Sequence, residues 1–106
     1  MTPAELPPID TPALLIDLDI VRRNLERMQK KADECRASLR PHIKTHKIPE
    51  LAHLQLRMGA VGVTVAKVSE AEVMAENGIQ DIFIANQIVS EEKLNRSRLQ
   101  TLQHYR

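Results

Sequence analysis

The sequence predicts an α/β fold in which parallel strands are covered by helices, and three observations predict it. Short β-rich runs alternate with stretches whose apolar residues recur every three or four positions. Only a few residues separate one run from the next, as in βα units. Cap residues stand where the helices should begin and end. Such alternation builds a parallel sheet with helices on its faces, here in β-α-β-α-β-α order.

Taken in order, residues 1–10, with Pro3, Pro7 and Pro8, carry no periodic pattern and read as a disordered leader. Residues 13–17 form a first short strand. Asp19 is the expected N-cap of a helix in which Val21, Leu25, Met28, Ala32 and Cys35 share one face. Residues 39–45 are the next strand. Pro49 fits the first position of a second helix, whose buried stripe is Leu51, Leu54 and Met58 and whose cap is Gly59. Val61, Val63 and Val65 then alternate with Gly62, Thr64 and Ala66, the period of a strand. Ser69 and Glu72 make an S-x-x-E capping box for a helix that stops at Gly78, with Ile79 completing an apolar C-terminal contact. Residues 81–85 are a further strand, and Ser90 caps a last helix from Glu91. Leu94, Leu99 and Leu102 fail to hold one face. The folded domain is therefore expected over residues 11–92. Residues 93–106 read as a helical tail, in the manner of a truncated or frameshifted chain that ends in foreign sequence.

Composition narrows the function. The 106 residues have the size of one modest domain, and 42% hydrophobic with 27% charged residues suits a soluble protein. A net charge of +1 recruits neither nucleic acid nor anionic membrane by itself. Phe83 and Tyr105, with no Trp, provide no stacking platform for single strands. One cysteine, Cys35, cannot form an internal disulfide, and there is no basic start followed by an apolar core, so a cytoplasmic protein is expected.

The informative string is Arg40-Pro41-His42-Ile43-Lys44-Thr45-His46-Lys47. On a strand, Arg40, His42, Lys44 and, if the strand runs that far, His46 share one side, with Pro41, Ile43 and Thr45 on the other. Ionisable groups in a parallel sheet need a bound anion, a paired carboxylate or a solvated cleft. Lys44 suits a Schiff-base lysine: cationic neighbours and partial burial disfavour its ammonium and free the amine for an aldehyde. Gly62, Thr64 and Ala66 leave room beside it. The alternative is an exposed strand end whose charges are merely solvated. His42 and His46 have the i, i+4 spacing of helical metal ligands, but on a strand they stand about 13 Å apart, too far to share an ion. His53 and His104 read as solvent-facing, and Lys67 as a strand-end lysine that could support an anion, with surface solvation the better reading. Lys93, Arg96, Arg98 and Arg106, unaccompanied by acids, read as an RNA or phosphate contact or as a solvated helix end favoured by the dipole.

That string, together with Thr11-Pro12-Ala13-Leu14-Leu15-Ile16-Asp17-Leu18-Asp19, Gly62-Val63-Thr64-Val65-Ala66-Lys67, Glu70-Ala71-Glu72 and Ile84-Ala85-Asn86, resembles the N-terminal part of the D-threonine aldolase and D-serine dehydratase family. The resemblance implies the alanine racemase type of fold, a TIM-like (β/α)8 barrel carrying pyridoxal 5'-phosphate and followed by a β-rich domain. The chain would supply about three βα units of the barrel, with residues 13–17 belonging to the β-rich domain. Lys44 matches the lysine that holds the cofactor and acts as acid/base, with His42 and Arg40 as cofactor-binding neighbours.

The implied reaction is lyase cleavage of a D-3-hydroxy amino acid. It is D-threonine aldolase-like, to glycine and an aldehyde, or D-serine dehydratase-like, to a keto acid and ammonia. A divalent metal assists the family through ligands in the C-terminal domain, so no metal ligand is expected here. A barrel needs about 250 residues. The chain is therefore expected to be inactive alone and to expose a sheet edge that invites self-association. The implied partner is a small D-amino acid, with no nucleic acid and no membrane. Two non-catalytic readings stand beside this one: a module that merely carries the cofactor, and an interaction protein that uses the basic tail.

Overall fold

The structure, a computed structural model, describes residues 6–104, with side chains described as far as residue 98. Helix α1 spans Leu18–Glu34. Helix α2 (Pro49–Arg57), strand β1 (Val63–Val65), helix α3 (Val68–Glu76), strand β2 (Ile82–Ile84) and helix α4 (Glu91–His104) follow. Residues 1–5 of the expected leader, and Tyr105 and Arg106 of the tail, lie outside the described residues.

Strands β1 and β2 pair in parallel, Val63 with Ile82 and Val65 with Ile84. Residues 39–43 lie along the other side of β1. Val61 N–H donates to Leu39 C=O (2.9 Å), Thr64 N–H to Pro41 C=O (2.8 Å) and Ile43 N–H to Thr64 C=O (2.9 Å). His42 is thereby bridged in parallel to Thr64. Three parallel segments therefore stand side by side in chain order. The expected strand over 39–45 ends at Ile43, because residues 44–46 turn away. Residues 13–17 are extended but exposed and form no strand among the described residues. Among the described residues no strand pairs with them, and period alone does not supply one.

The core lies between the sheet and the helices. Ile43, Val63, Val65, Met74 and Ile79 are each at most 1% exposed, with Ala52 and Ala71 beside them. Each large apolar side chain so buried contributes about 1.5–3 kcal/mol. All of β1 is buried, but Val61, expected to pack with its valines, is half-exposed beyond the strand's end.

Helix ends explain where the elements stop. Asp17, and not Asp19, caps α1: its Oδ1 accepts the N–H groups of Asp19 (3.0 Å) and Ile20 (3.2 Å). The inward face of α1 is turned toward Gln29, which is buried while Met28 and Cys35 are exposed. Gly59, at φ +125°, leaves the space that the Gln29 amide fills; a Cβ there would stand 3.1 Å from it. Pro49 begins α2 as expected. Helix α2 buries Ala52 fully, while Leu51, Leu54 and Met58 are only half-buried.

Helix α3 does not use the Ser69–Glu72 box. Its cap position is Lys67, and the carboxylate that reaches back is Glu70, accepting the Ala66 N–H at 2.8 Å. Glu72 turns instead to Arg96 on α4 (2.5 Å). The hydrogen bond to Glu72, with the charges of Glu72 and Glu92, raises the pKa of that guanidinium further above its ordinary range, against a smaller opposing effect of desolvation. At the other end of α3, Ile79 N–H donates to Met74 C=O and Gly78 N–H to Ala75 C=O. Both apolar partners, Met74 and Ile79, lie in the core. Ser90 Oγ accepts the Lys93 N–H (3.1 Å) and opens α4 as expected. Arg96 gives the basic tail a specific role: it docks on α3 and is not simply solvated.

Candidate active site at the C-terminal rim of the strands

In a (β/α) barrel the chemistry sits where the parallel strands end. Ile43 makes the last strand bond of its segment, to Thr64 C=O, and the chain then turns through residues 44–46. Lys47 N–H closes that turn on Ile43 C=O (2.8 Å), with Lys47 itself at φ +55°. At the same rim the C=O of Ala66, the first residue after β1, accepts from Asn86 Nδ2 after β2 (3.2 Å).

The two histidines hold the turn. His42 Nδ1 accepts the Lys44 N–H (3.2 Å). His46 Nδ1 accepts the Ile48 N–H at 2.8 Å, which leaves the proton on Nε2 to be donated to Gln55 Oε1 on α2 (3.1 Å). Among the described residues no three His, Cys, Asp or Glu side chains gather as a metal site. His53, expected to face solvent, instead donates from Nε2 to Asn77 C=O at the end of α3 (2.7 Å).

The cations of the string divide. Arg40 does not accompany Lys44: its Nη1 lies 2.7 Å from Asp81 Oδ1 and also faces Val63 C=O (3.3 Å), at the opposite, N-terminal end of β1 and β2. The space at Gly62, expected beside the lysine, is filled by this pair. Lys47 Nζ lies 3.9 Å from Glu70 Oε1. Lys44 alone in the string has a cation with no ion pair among the described residues. It is exposed, not partly buried, because the turn carries it past the last strand bond and β1 flanks it on one side only.

Sequence reasoning missed Asp81, Gln55 and the buried Glu70. A carboxylate three positions into a helix was the available signal for Glu70. The pairing of Arg40 with Asp81 joins residues far apart in the chain and has no local signature.

Parallel β/α units with a free lysine at the strand rim define a barrel-forming segment of the type that carries chemistry on its βα loops. Residues 16–105 match the model of the alanine racemase N-terminal domain, and the chain belongs to that family. The match takes in the segment that the sequence suggested was foreign. A D-threonine aldolase of Arthrobacter sp is 49% identical over 86 residues, covering 81% of this chain and 23% of that protein. A D-threo-3-hydroxyaspartate dehydratase of Delftia sp. (strain HT23) is 46% identical over 73% of this chain and 20% of its own length. The crystal structure of D-threonine aldolase from Filomicrobium marinum superposes with a TM-score of 0.86 at 48% identity, covering 89% of this chain and 25% of that one. The chain thus spans about a quarter or less of the relatives it matches. Its fold is the N-terminal part of the alanine racemase type of barrel. No helix among the described residues is long and apolar enough to cross a membrane.

Proposed function

We propose that this chain is the cofactor-anchoring part of a pyridoxal-phosphate-dependent lyase that acts on D-3-hydroxy amino acids, D-threonine aldolase-like in its reaction. The observation that carries the reading is Lys44: it lies inside the family match, at the C-terminal rim, as the cation of its string without an ion pair among the described residues. The residues present fit the group, since an unpaired, accessible amine is what an aldehyde requires.

Lys44 Nζ would hold the cofactor, and His42, whose Nδ1 already fixes the Lys44 backbone, would orient it from the same side. Pyridoxal phosphate, when bound, supplies the electron sink for cleavage at the α or β carbon. Lys44 Nζ would also be the group to take and return a proton. Arg40 is committed to Asp81 and is left out of this assignment. The similarity to a dehydratase keeps elimination to a keto acid and ammonia as the second reading. In the relatives' family, a divalent metal would be held outside these residues. The free, exposed thiol of Cys35 supports a cytoplasmic setting.

The 106-residue chain alone is expected to be inactive. Its outer β2 edge carries Phe83, 56% exposed, and its radius of gyration, 16.4 Å, exceeds the ~13 Å of a compact domain of this length. Such an open edge favours self-association. The test of function is borohydride reduction with pyridoxal phosphate followed by peptide mapping. Label concentrated on the peptide containing Lys44 supports the reading, and label spread evenly over the lysines overturns it.

A further inference from the structure

We infer that Glu70 is a positioning residue for Lys44, holding the turn that carries it against the end of β1; this rests on the reading of Lys44 given above. Glu70 is 7% exposed, although it is a carboxylate on a helix that offers solvent-facing positions. A buried carboxylate is costly unless its oxygens are occupied. Both of its oxygens are directed to groups that leave the strand rim. Oε2 accepts the N–H of Ala66, the first residue after β1, at 2.8 Å. Oε1 faces Nζ of Lys47, the residue that closes the 44–47 turn, at 3.9 Å.

Lys47 adopts φ +55°, a backbone conformation that an L side chain enters at a cost. A cleft of about 230 Å³ opens beside this pair, lined by Lys47, Lys67, Ser69, Glu70, Val73 and Met74. Across this cleft the Glu70 carboxylate ties the turn to α3. On the other side, His46 ties the same turn to Gln55 of α2. Lys44 is thus carried on a short turn braced from two helices, and the Glu70 brace alone also fixes the neighbouring strand end. An amine that must meet an aldehyde at a defined place gains from such fixing, since a displacement of about 1 Å is enough to lose much of the advantage of proximity.

The test uses the full 106-residue chain and three variants. E70Q keeps an oxygen for the Ala66 N–H and loses the charge. K47M removes the other partner, and E70L removes both contacts. Hydrogen exchange should quicken at the Lys47 and Ile48 amides in all three variants and at the Ala66 amide in E70L alone, with α2 protection unchanged. Borohydride-fixed pyridoxyl label at Lys44, measured against Lys30 on α1, should fall about fivefold in E70Q and K47M, the scale of an exposed ion pair. If E70L fails to fold, the other two variants carry the test. Wild-type exchange at Lys47 and Ile48 in both would overturn the inference. So would faster exchange with unchanged Lys44 labelling, because the brace would then be structural only. Unselective labelling of the unmodified chain overturns the reading of Lys44 itself, whatever the exchange shows.

Discussion

Arg40 and Asp81 meet at 2.7 Å across the start of β1, and Gly62 is the residue that makes room for them. A Cβ on Gly62 would lie 2.5 Å from Arg40 Nη1 and 2.6 Å from the Asp81 carbonyl oxygen. The guanidinium can swing aside, but the carbonyl belongs to backbone that starts β2. Gly62→Ala should therefore cost about 1–3 kcal/mol, read as a lower urea midpoint. In an Arg40→Ala background the same change should cost less, because one of the three close contacts has gone. Equal costs in both backgrounds would show that the pair and the glycine are independent.

Among the described residues two non-glycines share φ +55°, Arg36 after α1 and Lys47 after the Lys44 turn. Replacing Arg36 by Gly relieves the backbone there, and the bonds that end the helix, Ala37 N–H to Ala32 C=O and Arg36 N–H to Asp33 C=O, remain. A gain of about 0.5–1 kcal/mol is expected after allowing for the freer unfolded chain. Lys47→Gly relieves the same strain but gives up the contact with Glu70, so its gain should be smaller or absent. Thermal midpoints of the two variants, compared side by side, decide the matter.

Met74 and Ile79 join the end of α3 to the sheet, each 1% exposed. Truncating either to Ala should cost about 2–5 kcal/mol, as for large-to-small changes in other cores. That is a large part of the stability of any domain of this size. Loss of a cooperative melting transition is the expected result. Val89, 89% exposed, is the control, and Val89→Ala should move the midpoint by no more than about 0.5 kcal/mol.

The open edge of β2 predicts concentration-dependent association. Sedimentation of the 106-residue chain should show dimers or larger species that dissociate on dilution. Phe83→Lys, placing a charge at the exposed centre of β2, should shift the distribution toward monomer. A monomer at every concentration would count against the edge as an adhesive surface.

Much of this architecture is legible in local sequence. The alternation from Val61 to Ala66 gives β1, Pro49 gives the start of α2, and Gly78 with Ile79 gives the end of α3, because each depends on neighbours a few positions away. The string around Lys44 likewise marks the candidate site. Residues 13–17 show the limit of such reading: an apolar run has strand character, yet a strand exists only where another backbone meets its N–H and C=O groups. The capping box shows the same limit. Ser69 and Glu72 have the right spacing, but the helix begins at Val68 with Lys67 as its cap, so Glu70 falls at the position from which a carboxylate reaches back.

By itself, then, the chain's sequence determined the order of helices and strands, the family and the lysine on which a function can be built, since periodicity, caps and a contiguous motif are short-range properties. Tertiary structure alone decided which charges are free. Arg40 is neutralised by Asp81 and Lys47 lies beside Glu70, while Lys44 has no ion pair among the described residues. Charge pairing falls off over a few ångströms in space and takes no account of distance along the chain.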